Sequence, residues 1–210
     1  MNTEGLKELY QGHEIAAHCL THADLPKYDE ETIRNEILED KKNLEERFGQ
    51  PVVGMAYPFG TYNDTVVDIA RACGIRYSRT IERTGNFGLP EEPLTLNPTC
   101  HHNDADVMDL IDRFLASDSE EPQLFYLWGH SYEFDENKNW NVIENFFKKL
   151  EKRDDIWYAS NIEIYNYIRA YESLDFSLEM NYVSNPSAID VWILAKGKNI
   201  KVPRGKTVKI

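Results

Sequence analysis

The order of apolar and polar positions along the chain predicts short buried strands that alternate with amphipathic helices over residues 12–171. The strand-like runs are EIAA (14–17), VVGMAY (52–57), IRYSR (75–79), QLFYLW (123–128) and IWYA (156–159). Helical spacing of apolar residues fills the stretches between and after them, at about 29–49, 63–73, 107–114, 142–150 and 161–170. Five strand-helix units in succession favour a parallel sheet or barrel, because parallel strands need crossover connections.

Local signals mark the ends of the first long helix. Asp29 is placed to cap its N-terminus and Gly49 to end it, while Ile33, Ile37 and Phe48 recur at helical spacing. A contrasting segment at 82–103 lacks periodicity and carries Pro90, Pro93 and Pro98. Loops of that length are usually functional or disordered.

The pattern changes after residue 171. DFSLEM, AIDVWILA, NIKV and TVKI are strand-like runs separated by Asn, Pro, Gly and Lys, which is typical of a small antiparallel sheet. The sequence therefore predicts two parts, an α/β domain over residues 1–171 and a small β-rich extension over residues 172–210.

Charge and composition exclude several classes of partner. The net charge is −13, and no basic run exceeds the pair Lys148-Lys149, so a nucleic-acid surface is not expected. No apolar run reaches the roughly 18 to 20 residues of a membrane span, and the N-terminus lacks the apolar core of a signal peptide. Cysteines at three positions without a CxxC pair indicate reduced thiols. These features together predict a cytoplasmic setting.

Polar side chains collect where the predicted strands end. His18 and His22 follow the first strand, Tyr57 the second, Arg79 the third, and His130 the strand at 123–128. Because loops after parallel strands converge on one face, we expect these side chains to share a cavity. His101 and His102, in the irregular segment, are expected to be solvated.

The spacing of His18 and His22 permits metal binding. Imidazoles at i, i+4 on a helix lie about 5 to 6 Å apart at Cβ, and each could hold one Zn²⁺ at about 2.0 to 2.1 Å. A surface or structural role is the alternative that the spacing alone leaves open.

Three sequence motifs occur in the same order as in a known protein family. GHEIAAHCLTHADL (12–25), AYPFGTYN (56–63) and FYLWGH (125–130) resemble the second, third and last motifs of the polysaccharide deacetylases, carbohydrate esterase family 4. The resemblance implies a distorted (β/α) barrel that hydrolyses N-acetyl or O-acetyl groups of an acetylated carbohydrate with a divalent metal, usually zinc, with cobalt or nickel as substitutes.

The resemblance also implies roles for individual residues. His18 and His22 correspond to the metal ligands, His130 to the general acid, and the backbone near Tyr57 to the oxyanion donor. Pro58 and Phe59, in the third motif, and Trp128, beside the last, are expected to contact the substrate, since aromatic rings stack on sugars.

The chain departs from the family pattern in three places. The first motif, Thr-Phe-Asp-Asp-Gly, which supplies a general base and a third metal ligand, does not precede His18, so we expect the first strand to be missing and activity to be doubtful. The third motif opens with Ala56 rather than Arg, and Arg79 is expected to replace that charge. The acid that orients the late histidine is unassigned, with Glu133 and Asp135 as candidates.

These departures keep alternatives open. A non-catalytic carbohydrate-binding relative would keep the barrel mouth and lose the chemistry. An unrelated metal-dependent phosphoesterase barrel is less favoured, because its early HxH pair is absent. A homodimer in which a neighbouring chain lends a carboxylate would restore a complete metal site.

Overall fold

The computed structural model describes residues 3–210 and divides the chain into two compact units, Met1–Tyr158 and Ala159–Ile210. The α-helices are α1 (Thr3–Leu9), α2 (Glu30–Phe48), α3 (Asp64–Ala72), α4 (Val107–Leu115), α5 (Ser131–Asn137), α6 (Asn141–Leu150) and α7 (Asn161–Glu172). The strands are β1 (Gly54–Ala56), β2 (Tyr77–Arg79), β3 (Cys100–His101), β4 (Leu127–Trp128), β5 (Asp175–Phe176), β6 (Tyr182–Asn185), β7 (Val191–Ala195), β8 (Lys198–Val202) and β9 (Lys206–Lys209). No helix in this described part combines the length and the hydropathy that crossing a bilayer requires.

Helix ends in the first unit follow the local signals. The Asp29 carboxylate accepts a hydrogen bond from Thr32 N, and Gly49 closes α2 in the left-handed conformation at φ 71°. Asn63 caps α3 in the same way by accepting from Val66 N at 2.9 Å. Capping side chains satisfy backbone N–H groups that have no partner within the helix, which explains why these boundaries were predictable.

Parallel strand pairing organises the first unit. β1 pairs with β2, β3 pairs with β4, and both pairs are parallel. Single parallel bridges add Ala17 beside Met55 and Leu96 beside Arg79. The α/β prediction is confirmed, whereas the strands are shorter than expected and no closed sheet is formed among the described residues.

The first unit has two apolar clusters. One joins α2, α3 and β1 through residues such as Ile37, Met55 and Val66. The other joins α4 and α6 through Leu110 and Phe146. Burial of these side chains fixes the strands whose ends carry the candidate site.

Two sequence expectations differ from the observed elements. EIAA forms only the single bridge at Ala17. IWYA forms no strand, and the side chains of Trp157 and Tyr158 are exposed. The predicted boundary at 171/172 also differs from the observed division after Tyr158. The reason is that Ala170 on α7 lies in the same buried cluster as Val183 and Val191, so this helix belongs with the antiparallel strands of the second unit.

Candidate active site

The His18 and His22 rings lie together at the end of the Ala17 bridge. Their centroids are 4.7 Å apart at an interplanar angle of 73°. The segment between them is a loop rather than the helical turn that the spacing indicated, and His22 itself has φ 59°. Glu36 on α2 holds this loop, since its carboxylate accepts from Thr21 N at 2.8 Å and from Thr21 Oγ1 at 2.7 Å.

His18 is oriented by a backbone carbonyl. Its Nδ1 lies 2.7 Å from the Ala56 carbonyl oxygen at the end of β1. A carbonyl only accepts, so Nδ1 carries the ring proton and the lone pair is on Nε2, which is the arrangement found in metal-binding histidines. Burial lowers the pKa of His18 below its ordinary value, and the charges of His22 and Arg79 lower it further. The ring is therefore neutral near pH 7, as a ligand must be.

The donor set fits part of a zinc site. Two neutral imidazoles this close can share one divalent cation, whereas a catalytic zinc normally has three protein ligands. Over residues 3–210, no carboxylate or thiol completes a three-residue group with His18 and His22. The structure thus supplies two of the three ligands that a catalytic zinc normally has.

The third motif places Tyr57 in the core and Phe59 beside His22. Tyr57 is fully buried, and its hydroxyl donates to the Leu94 carbonyl at 2.9 Å. Its backbone N–H donates to the Arg79 carbonyl at 3.0 Å, so an oxyanion donor in this motif would have to be a neighbouring backbone N–H group. Pro58 is buried beside it and has no N–H. Phe59 is exposed, at φ 59°, with its ring 4.5 Å from that of His22.

Arg79 and Trp128 connect the His pair to the late histidine. The Arg79 guanidinium lies 4.5 Å from the Trp128 ring centroid, a cation–π contact, and its charge acts on His18. The Trp128 ring is 5.7 Å from the His130 ring. Side chains at the carboxyl ends of β2 and β4 therefore form one continuous surface, as the order of the strands predicted.

His130 has an acidic partner. Its Nδ1 lies 2.6 Å from Glu133 Oε1 in the first turn of α5, and its ring stacks on Tyr132. Desolvation opposes ionisation of Glu133, but the hydrogen bond from His130 and the charges of His101, His102 and His130 lower the pKa of this carboxyl below its ordinary value. Of the two candidates that the sequence left open, Glu133 contacts His130, whereas Asp135 accepts from Trp140 Nε1.

His101 and His102 are not the solvated residues that the sequence suggested. His102 is 3% exposed, and its ring lies 4.3 Å from that of Phe134. The His101 ring is 4.5 Å from that of Trp128. His101 ends β3 and His102 follows it, and this strand of two residues is too short to show an alternating pattern, so periodicity could not have revealed them.

The lowered pKa values predict a pH-dependent stability. Burial lowers the pKa of both His18 and His102 below the ordinary value of 6.5. At a pH between the lowered pKa and 6.5, these histidines are protonated mainly in the unfolded chain. The free energy of unfolding should therefore decrease as the pH falls from about 7.5 to about 5.5. Urea unfolding at both pH values measures this, and His18→Gln should reduce the decrease while His13→Gln, at an exposed position, should not.

Comparisons with known proteins agree with the motifs. The family model described as polysaccharide deacetylase matches residues 1–78, which include His18, His22 and Phe59. No curated protein matches the chain. A Mycobacterium smegmatis protein assigned to the polysaccharide deacetylases has 21% identity and a TM-score of 0.61, over 81% of this chain and 68% of that one.

Two further solved structures show the extent of the similarity. A Pseudomonas aeruginosa PAO1 protein assigned to the same family has 20% identity and a TM-score of 0.59, over 78% of this chain and 62% of that one. A Streptococcus pyogenes deacetylase in complex with acetate has 28% identity and a TM-score of 0.43, and the match covers 46% of this chain and 43% of that one. The chain therefore spans less than half the length of that deacetylase. Residues 1–78 are thus similar to the polysaccharide deacetylase family, and the fold is shared with two proteins assigned to that family, in agreement with the motifs.

Proposed function

We propose that this chain hydrolyses acetyl groups from an acetylated carbohydrate with the help of a divalent metal held by His18 and His22. The observation that carries the proposal is the close pair of rings, 4.7 Å apart, with Nδ1 of His18 directed at the Ala56 carbonyl. Zinc suits two imidazoles, and cobalt or nickel can replace it. The family match over residues 1–78 covers this pair.

His130 is the proposed general acid. When bound, the metal would polarise the acetyl carbonyl and lower the pKa of a water molecule. Cleavage of the bond to the amine or alcohol then requires a proton for this leaving group. A histidine can supply that proton near neutral pH. Glu133 Oε1, 2.6 Å from Nδ1, fixes the ring so that Nε2 is the atom that transfers it. Glu133 is thus a positioning residue in this reaction.

The aromatic and cationic side chains between these histidines are the proposed carbohydrate contacts. Phe59 is exposed beside His22, and Trp128 lies under the Arg79 guanidinium. Sugar rings present C–H faces that stack on aromatic rings, and a guanidinium donates to hydroxyl or carbonyl oxygens. With the backbone of Tyr57 used in the sheet, Arg79 is the proposed donor to the developing oxyanion.

The incomplete ligand set predicts slow turnover. With two histidines and no third protein ligand among the described residues, the metal site is expected to be weak. A neighbouring copy of the chain that lends a carboxylate would complete it, so we propose that a homodimer is the more active form. The alternative function is carbohydrate binding without catalysis, which the missing ligand and the exposed aromatic rings favour.

Acetate release distinguishes these two functions. The purified chain is incubated with acetylated chitooligosaccharides or acetylated xylan, with added Zn²⁺ or Co²⁺ and with a chelator as the matched control. Slow release that requires the metal is expected. Binding of either glycan in a titration without acetate release under any metal condition would establish the non-catalytic alternative.

A further inference from the structure

A second group of potential ligands lies at the end of β3. We propose that His101, His102 and Glu133 form a divalent-cation site, suited to zinc, that is separate from the His18 and His22 pair. One potential ligand atom from each residue lies within 4.8 Å of the others. This inference does not depend on the proposed deacetylase function.

His102 has a buried ring nitrogen without a hydrogen-bond partner. Its Nε2 makes no hydrogen bond with the described residues, and the residue is 3% exposed. The backbone N–H of His102 donates to the Trp128 carbonyl at 3.0 Å, which holds the residue against the end of β4. An unsatisfied buried polar atom is unusual in a folded protein, and a bound cation would satisfy this one.

The group that faces this nitrogen is a carboxylate. Glu133 Oε2 is 3.4 Å from His102 Nε2, and Nε2 makes no hydrogen bond with this carboxylate. A cation bound to both atoms would replace this unmade hydrogen bond with two favourable contacts. This pair is the strongest indication of a ligand in the structure.

The backbone opposite His102 keeps this arrangement compact. A Cβ on Gly129 would lie only 1.7 Å from His102 Nδ1, so a residue with a side chain could not occupy this position while the ring stays where it is. The close approach of Gly129 is what lets the His102 ring lie against the end of β4. The site is thus built into the strand that also carries Trp128.

Each imidazole lies as far from one Glu133 oxygen as two ligands of a zinc ion lie from each other. Glu133 Oε1 is 3.4 Å from His101 Nε2, the same separation as that between Oε2 and His102 Nε2. Ligand atoms at about 2.0 to 2.1 Å from a tetrahedral zinc lie about 3.3 to 3.5 Å from each other. Two histidines and one glutamate are also a ligand set that zinc uses in catalytic sites, with a fourth position for water.

The remaining contacts of Glu133 leave room for the cation. Oε1 is 2.6 Å from His130 Nδ1, and Oε2 accepts from Asn103 Nδ2 at 2.6 Å. A carboxylate has about four acceptor positions, so these two bonds do not exhaust it. They hold the carboxylate in place, as outer-shell partners of metal ligands do.

His101 is the ligand that must rearrange. Its Nδ1 accepts from Asn103 N at 3.2 Å, so the neutral ring carries its proton on Nε2. Cation binding at Nε2 requires that proton to move to Nδ1 at the expense of this bond. Glu133 needs no such change and faces both imidazoles at 3.4 Å, so it is expected to dominate the affinity.

Calorimetric titration of the whole chain with Zn²⁺ alone tests the site. The double variant His18→Ala/His22→Ala should still bind one Zn²⁺ per chain. In that background, Glu133→Gln, which keeps the shape of the side chain, should weaken binding by at least about 10-fold, and His102→Gln should do the same. Asp135→Asn is the matched control on the same helix, because Asp135 faces Trp140 instead, and it should leave the affinity unchanged.

Two results would overturn the proposal. One is a His18→Ala/His22→Ala variant that is folded by circular dichroism and binds no zinc. The other is Glu133→Gln with unchanged affinity. If His102→Gln does not fold, Glu133→Gln alone decides. Because the measurement is zinc binding, failure of this site is distinguishable from failure of the deacetylase function, which acetate release measures.

Discussion

Joint replacement of His18 and His22 by alanine is expected to reduce metal-dependent acetate release by at least about 100-fold. The estimate follows from ligand loss, because removing only an outer-shell partner of a metal ligand costs about 10- to 100-fold in affinity or activity. These two rings are the protein ligands of the proposed catalytic metal, and they lie 4.7 Å apart. Initial rates of acetate release at saturating Zn²⁺ measure the effect.

His13 offers a matched control for this double variant. It is a histidine in the same N-terminal region, is exposed, and precedes the Ala17 bridge. His13→Ala should therefore leave acetate release unchanged. Turnover by the His18→Ala/His22→Ala variant at the rate of the unmodified chain would show that the catalytic metal is held elsewhere, with His101, His102 and Glu133 as the first place to look.

Locally encoded features were predictable from the sequence. The ends of α2 follow from the Asp29 cap and the left-handed Gly49, both of which act within one helical turn. The parallel pairing of β1 with β2 was predictable too, because apolar runs joined by a crossover helix specify parallel pairing without knowledge of register. Arg79 and Trp128 consequently lie where their positions at strand ends placed them.

Features that depend on tertiary contacts were not predictable. The His18 and His22 rings lie together because Glu36 on α2 holds the loop between them. Helical spacing predicted that the rings are neighbours, but the segment that joins them is not helical. IWYA has strand composition, yet residues 156–159 form no strand and the Trp157 side chain is exposed. Composition favours a strand, but a partner strand is needed to form one. Conversely, β3 forms within the segment that the sequence marked as irregular, because β4 pairs with it.

The partner of His130 could be predicted from the sequence. Glu133 follows His130 by three residues, and residues three apart at the start of a helix are neighbours. Burial of His102 could not be predicted from the sequence, because it depends on the close approach of Gly129 and on packing against Phe134. Glu133 contacts both histidines, so it positions the proposed acid and is also a ligand of the proposed second cation site.

Replacement of His130 by alanine is expected to lower kcat for acetate release by about 10²- to 10⁴-fold, the usual contribution of a positioned acid or base. KM should change little, because Phe59, Arg79 and Trp128 remain to bind the carbohydrate. Folding should be nearly intact, since His130 lies at the start of α5 and its side chain is 41% exposed. Steady-state kinetics on one acetylated oligosaccharide separate the two parameters.

The identity of the leaving group sharpens this test of His130. An amine leaves poorly without a proton, whereas an activated phenol leaves readily as its anion, so an acetyl ester of a phenol needs little help from a general acid. His130→Ala should therefore impair release from an N-acetylated sugar much more than release from a phenyl acetate. Equal loss on both substrates would contradict the role of His130 as the acid and indicate damage to the metal site or to the fold.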